Sequence, residues 1–174
     1  MKRIKVISSL LIMGAFVNNA SAQATATSSA SATIVTPISI SKTIDMVFGN
    51  LAVTSTSGTV VLSVAGGRTA TGGVTLPATA SGSPTAAAFT VNGEGAYTYT
   101  ITLPSADVIL TKSGGGATMI VNTFTSSVST AVGGGQLTAG TQNFTVGATI
   151  HVTNGQAAGA YTTLTPFGVT VNYN

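Results

Sequence analysis

The segment Tyr97-Thr98-Tyr99-Thr100-Ile101-Thr102-Leu103 carries an apolar or aromatic side chain at every odd position and threonine at every even one. Successive side chains of a strand point to opposite faces, so this pattern builds a sheet with one buried face. It cannot keep an apolar stripe on a 3.6-residue helix. The same alternation recurs along the chain. It runs through Ile38-Ser39-Ile40-Ser41, then Ile44-Asp45-Met46-Val47-Phe48 as far as the turn signal Gly49-Asn50. It continues in Val60, Leu62 and Val64, in Phe89 and Val91, and in Val108 and Leu110. The run Met119 to Phe124 follows, then Phe144, Val146, Ile150 and Val152. A last alternating segment, Phe167-Gly168-Val169-Thr170-Val171-Asn172-Tyr173, stops one residue before the end.

Glycine-rich punctuation separates these runs: Gly66-Gly67, Gly72-Gly73, Gly82-Ser83-Pro84, Asn92-Gly93-Glu94-Gly95, Gly114-Gly115-Gly116, Gly133-Gly134-Gly135 and Asn154-Gly155. β-branched and aromatic residues fit half-buried pleated surfaces, and short strands at this spacing predict an all-β, immunoglobulin-like antiparallel β-sandwich. No helix and no internal repeat is expected.

Met1 to Ala22 reads as a secretory signal peptide, with Lys2, Arg3 and Lys5, an apolar run from Val6 to Val17, and Ala20-Ser21-Ala22 as cleavage pattern. The domain boundaries expected are 1–22 for the signal, 23–34 for an N-terminal arm and 35–174 for the sandwich. Removing the leader takes away three of the six basic residues, leaving Lys42, Arg68 and Lys112 against Asp45, Glu94 and Asp107. The apparent basicity therefore belongs to the leader, and no nucleic-acid partner is expected. About 150 residues remain, enough for one domain with a single core. Charged residues are 5% of the chain, against roughly 25% in an ordinary soluble domain. A neutral surface of threonine and serine suits a chain packed against copies of itself, or a small hydroxyl-solvated secreted domain. No cysteine is present, so stability must come from strand pairing and apolar burial. No second apolar run approaches the ~18 residues of a membrane span.

Residues 23 to 34 form the second informative feature. Even positions are Ala24, Ala26, Ser28, Ala30, Ala32 and Ile34, and odd positions are all polar. Fully extended at ~3.3 Å per residue, a dozen residues reach roughly 40 Å, the length of a small sandwich. The composition also suits a disordered linker. Strict alternation fits a strand that could pair with an open sheet edge.

The inventory argues against an enzyme. Glycosidase chemistry needs two facing carboxylates, and only three scattered acids exist. His151 is the sole histidine and by parity faces away from Ile150 and Val152, and no Gly-x-Ser-x-Gly elbow is present. One histidine and no cysteine rule out a zinc site, three scattered acids argue against calcium, and the glycine triplets lack the Gly-Lys-Ser/Thr of a phosphate loop. No cofactor is expected. Arg68 reads as a solvated loop residue, and Tyr97 and Tyr99 as packing on the Ile101 face. Asn143-Phe144-Thr145 is a short match to a glycosylation acceptor.

Ile34-Val35-Thr36-Pro37-Ile38-Ser39-Ile40 and Met46-Val47-Phe48-Gly49-Asn50-Leu51 resemble a family of small secreted bacterial proteins of unassigned function. So do Val60-Val61-Leu62, Gly93-Glu94-Gly95-Ala96-Tyr97-Thr98-Tyr99, Gly159-Ala160-Tyr161 and Val169-Thr170-Val171-Asn172-Tyr173. More distantly, Phe48-Gly49 and a Gly-x-Tyr before a terminal alternating strand resemble the spore-coat-U group and the archaic chaperone–usher pilins. The wider resemblance implies a sandwich lacking one strand, completed by a neighbour's amino-terminal arm to build a homopolymer. By position, Ala24, Ala26, Ser28, Ala30, Ala32 and Ile34 would be the donor face, and Phe167, Val169, Val171 and Tyr173 the acceptor edge. A periplasmic chaperone and an outer-membrane exporter would be the export partners. Two departures matter: the cysteines of many such pilins are missing, and most donor positions are alanine, which buries little area. The expectation is a structural subunit of a secreted surface fibre or coat. The alternative is a monomeric secreted adhesin or carbohydrate-binding module using the glycine-rich loops and tyrosines.

Overall fold

The computed structural model describes residues 22–77 and 82–174; residues 1–21 of the signal peptide expected over 1–22 lie outside the described residues. The chain divides into two compact units, Met1–Thr33 and Ile34–Asn174. Of the first, residues 22–33 are exposed and outside any strand.

The second unit is an antiparallel β-sandwich. No helix forms among the described residues, and none is therefore long and apolar enough to cross a membrane. Its strands are β1 (Ser39–Ile44), β2 (Ala52–Leu62), β3 (Arg68–Thr75), β4 (Ala87–Asn92), β5 (Thr98–Thr102) and β6 (Val108–Lys112). They continue with β7 (Thr118–Ser126), β8 (Gly135–Gln136), β9 (Thr141–Val152), β10 (Tyr161–Thr163) and β11 (Thr170–Tyr173). The larger sheet has the order β1-β4-β9-β7-β6-β10, with β2 also on β9 and β3 on β2. The smaller sheet has the order β11-β5-β8.

Strand β9 organises the larger sheet. Residues 141–146 pair with β4 and residues 148–152 with β2, while β7 occupies the opposite edge. The two neighbours meet at Gly147, where a Cβ would lie 2.3 Å from the Leu62 carbonyl oxygen. Only glycine lets the Leu62 backbone come that close. Along β9, Phe144, Val146, Ala148, Ile150 and Val152 are all buried, so one inward face serves both halves.

Two apolar clusters result. In one, Ala87, Phe89 and Val91 of β4 and Phe144 and Val146 of β9 pack with Tyr99, Ile101, Leu137 and Val171. Phe89 and Phe144 stack with ring centroids 5.4 Å apart. In the other, Val60, Leu62, Val74, Val121, Ala148, Ile150 and Val152 pack with Phe48.

Several local expectations need correction. The run Ile44 to Phe48 is not a strand: β1 shifts register after Lys42 and ends at Ile44, and beyond it only Val47 pairs, with Thr85. Val64 falls in the turn after β2, and the terminal strand covers only its last four expected residues. Gly72 and Gly73 lie inside β3, facing the bulged part of β2, and Gly135 begins β8. Arg68 opens β3, and its Nη1 donates to the carbonyl oxygens of Phe48 (2.7 Å) and Asn50 (3.0 Å). It is a strap between segments, not a solvated loop residue. Tyr99 and Ile101 are buried, but Tyr97 precedes the strand and is 49% exposed.

Candidate subunit interface

Strand β11 is a short element and one of the two outer strands of the smaller sheet, the other being β8. Thr170 pairs with Thr102, Val171 with Ile101, Asn172 with Thr100 and Tyr173 with Tyr99. Among the described residues no strand pairs with its other edge. Val171 is buried in the first cluster, and Phe167, Val169 and Tyr173 pack against it, as do Ile38 and, from β1, Ile40. Of the four residues that the resemblance assigns to an acceptor edge, Val171 and Tyr173 lie in β11, Phe167 and Val169 precede it, and all four belong to or pack against the first cluster. An unpaired edge over an apolar floor is a template for another strand.

The registers fix the polarity of this edge. Ser39 pairs with Asn92 and Tyr173 with Tyr99, and the 93–97 turn joins β4 to β5. The start of β1 and the end of β11 thus lie at one end of the sandwich. Ile44 pairs with Ala88 and Thr170 with Thr102, placing the end of β1 and the start of β11 at the other. β1 and β11 run in opposite directions and come within 8 Å (Cα–Cα) without a ladder between them. Two ladder spacings need roughly 9.5 Å, so a strand entering there must spread β1 from β11 by an ångström or two.

At the first end three segments are locked together. The Tyr173 hydroxyl donates to the Thr36 carbonyl oxygen (2.9 Å) and accepts from the Glu94 N–H (2.6 Å). The Thr36 N–H donates to Glu94 Oε2 (3.0 Å). Hydrogen bonding from Thr36 to the carboxylate holds the Glu94 carboxyl below its ordinary range. The Tyr97 ring leans on Tyr173 with centroids 5.7 Å apart. Deeper in, the Tyr99 hydroxyl donates to Gln142 Oε1 (2.7 Å), and burial pushes its pKa up.

At the other end, Phe167 meets Phe124 with centroids 5.0 Å apart. Beside it opens a groove of about 410 Å³ between the β5–β6 and β10–β11 connections. Leu164, 81% exposed, and Ile109, 45% exposed, stand on its wall.

Of the donor residues, Ala24, Ala26, Ser28, Ala30 and Ala32 are exposed and unpaired in the first unit. Ile34 opens the second unit and is 98% exposed. No strand forms within residues 22–34. What sequence reasoning missed is the Thr36–Glu94–Tyr173 lock. Glu94 reads as a solvated turn residue because its partner is 58 positions away. The one signal was that all three segments carry the family resemblance.

Among the described residues the other charged and histidine side chains are scattered over the surface. His151 is exposed and its Nε2 lies 2.8 Å from Asn122 Oδ1, whose Nδ2 donates to Asp107 at 3.0 Å. Lys42 pairs with Asp45 on the surface. Asn143 Oδ1 accepts from the Thr90 hydroxyl within the β4–β9 ladder. Among the described residues no group of three His, Cys, Asp or Glu could hold a metal ion.

These features define an all-β sandwich domain with an open terminal edge and an unpaired leading segment. The chain belongs to the domain of unknown function DUF4402, whose family model matches residues 38–173. No curated protein and no solved structure matches the chain. The match begins after residues 23–34, so the arm lies ahead of the family domain itself.

Proposed function

We propose that this protein is a non-enzymatic structural subunit of an extracellular fibre or coat, built when each copy lends residues 23–34 to the β11 edge of the next. The observation that carries this reading is the bare outer edge of β11 over a packed apolar floor, in a chain whose leading segment is itself unpaired. Polarity supports it. A chain's own arm, entering from Thr36 at the Tyr173 end, could only lie parallel to β11. An arm from another molecule is free to lie antiparallel, the slightly more stable pairing. The signal-like first 22 residues support export, and the distant pilin resemblance supports a periplasmic chaperone and an outer-membrane exporter as partners. Deleting residues 23–33 and examining the exported protein by electron microscopy tests the reading. Loss of filaments is expected, and filaments of unchanged appearance would remove the arm from the mechanism.

One observation favours the second reading, a monomeric adhesin or carbohydrate-binding module: Tyr97 is half-exposed beside the Tyr173 ring. A stable monomer in size-exclusion chromatography that loses glycan binding on Tyr97→Ala would favour it.

A further inference from the structure

We infer that Asn154 is a site of spontaneous covalent modification, losing its side-chain amide through a cyclic imide with the Gly155 nitrogen, and that the rearranged product unties strand β10.

The chemistry needs only water and the two neighbours. The Gly155 backbone nitrogen, its proton taken by hydroxide, attacks Asn154 Cγ. The N–Cγ bond forms, the Cγ–Nδ2 bond breaks, and ammonia leaves with a proton from water. Water then opens the imide at either carbonyl. Cleavage at Cγ gives aspartate. Cleavage at the backbone carbonyl gives isoaspartate, whose main chain runs on through the side chain and is longer by one methylene. Water is consumed, ammonia is released, and no oxidation state changes.

The fold selects this step among the asparagines. Asn50, Asn122, Asn143 and Asn172 precede Leu51, Thr123, Phe144 and Tyr173, whose side chains crowd the nitrogen that would attack. Asn92 and Asn154 alone precede glycine. Asn92 ends β4, paired with both Ser39 and Thr141, and the Gly93 N–H donates to the Gly140 carbonyl oxygen (2.9 Å). The Tyr173 hydroxyl fills the space beside Gly93. That nitrogen cannot swing toward Asn92 without breaking these contacts. Asn154 and Gly155 are both exposed, and apart from chain neighbours nothing lies within 4 Å of where a Gly155 Cβ would stand. Among the described residues neither the Asn154 side-chain amide nor the Gly155 N–H has a hydrogen-bond partner. The turn itself demands the glycine. The Gln156 N–H closes on the Thr153 carbonyl oxygen (3.3 Å) with φ +65° at Gly155, where a side chain would be strained.

The same turn carries Gln156. Its Nε2 donates to the Thr118 carbonyl oxygen (3.2 Å) and the Tyr161 hydroxyl (2.8 Å), and its Oε1 accepts from the Thr153 hydroxyl (2.7 Å). These bonds tie the start of β7 and the turn after β9 to β10, a three-residue edge strand that pairs with β6. An extra methylene just before Gln156 draws its side chain off those partners. Either product also tips residues 23–174, with three basic and three acidic side chains, to a net negative charge.

Full-length protein held folded at mildly alkaline pH and mapped by peptide mass spectrometry tests the site. Asn154 should convert to aspartate and isoaspartate, faster as pH rises and at least about tenfold faster than Asn92, since each ~1.4 kcal/mol of local opening slows the latter about tenfold. In urea, where neither step is held, the two rates should converge. Equal rates in the folded protein, or a difference that survives in urea, overturn the site. Asn154→Gln, which would need a larger ring, should stay unmodified, and its conversion overturns the imide route. Amide exchange at Tyr161 to Thr163 should quicken about tenfold in the isoaspartyl form. It should not change in Asn154→Asp, which adds the charge without the methylene. Exchange that is unchanged in both, or equally quickened in both, overturns the untying of β10.

Discussion

A Cβ on Gly93 would lie 2.1 Å from the Tyr173 hydroxyl oxygen, so position 93 stays bare to admit that hydroxyl between Thr36 and Glu94. Glycine here serves close approach, and sequence punctuation alone reads it as a turn. The carboxylate of Glu94 gives the lock a pH dependence. Because the Thr36 N–H favours the charged form, the folded-state pKa lies below the ordinary 4.5. A lowered folded-state value means that the bond is complete above the unfolded-state range and is lost as pH falls through the lowered value. The Thr36 amide proton, followed by NMR on acidification, should therefore shift with a midpoint below 4.5, and the step should vanish in Glu94→Gln. A midpoint at or above 4.5 would contradict the assignment. None of this was legible in the sequence, where Glu94 sits among glycines and asparagine like any solvated turn residue. Tyr173 was readable as an inward strand position, but its hydroxyl partners were not.

At the scale of elements, β4, β5 and β9 were legible because their alternation is unbroken and strongly apolar. Phe89 and Val91, Tyr99 and Ile101, and Phe144 through Val152 at even positions are all buried as parity requires. The β2–β3 ribbon was harder, since Thr54 to Gly58 and Thr69 to Gly73 hold almost no apolar residues. It forms because backbones come very close: a Cβ at Gly58 would lie 2.1 Å from the Thr71 carbonyl oxygen. β8 is two residues long and too short for any periodicity to show. Gly147 is silent in the sequence for the same reason as Gly93. Its neighbours β4 and β2 share one edge of β9, and a methyl at this position would run into rigid backbone. Gly147→Ala should lower stability by about 1–3 kcal/mol, the usual cost of overpacking, read as a lower urea midpoint at unchanged slope. A shift within ~0.5 kcal/mol would mean that β2 and β4 do not need their close junction.

For the whole molecule, the all-β architecture was legible from periodicity, and the openness of the β11 edge was not. Alternation in residues 167–173 says that a strand ends the chain without saying which of its edges is covered. The arm was visible as a pattern, and its exposure in the single chain leaves the small even-face residues without a floor of their own. Burying Ile34 fully contributes about 1.5–3 kcal/mol, and each alanine methyl well under that. A joint of the proposed kind would gain most of its strength from main-chain hydrogen bonds along β11. Residues 23–174 carry three basic and three acidic residues, so copies brought together would repel one another little. The central claim is that the bare edge of β11 is covered by another copy's arm. Backbone amide exchange of residues 24–34, measured in assembled and in dissociated full-length protein, tests it most directly. Assembly should slow exchange at alternate arm positions at least a hundredfold, and should slow the outer-edge amides of β11 with them. Arm amides that exchange as fast in the filament as in the single chain would contradict the account.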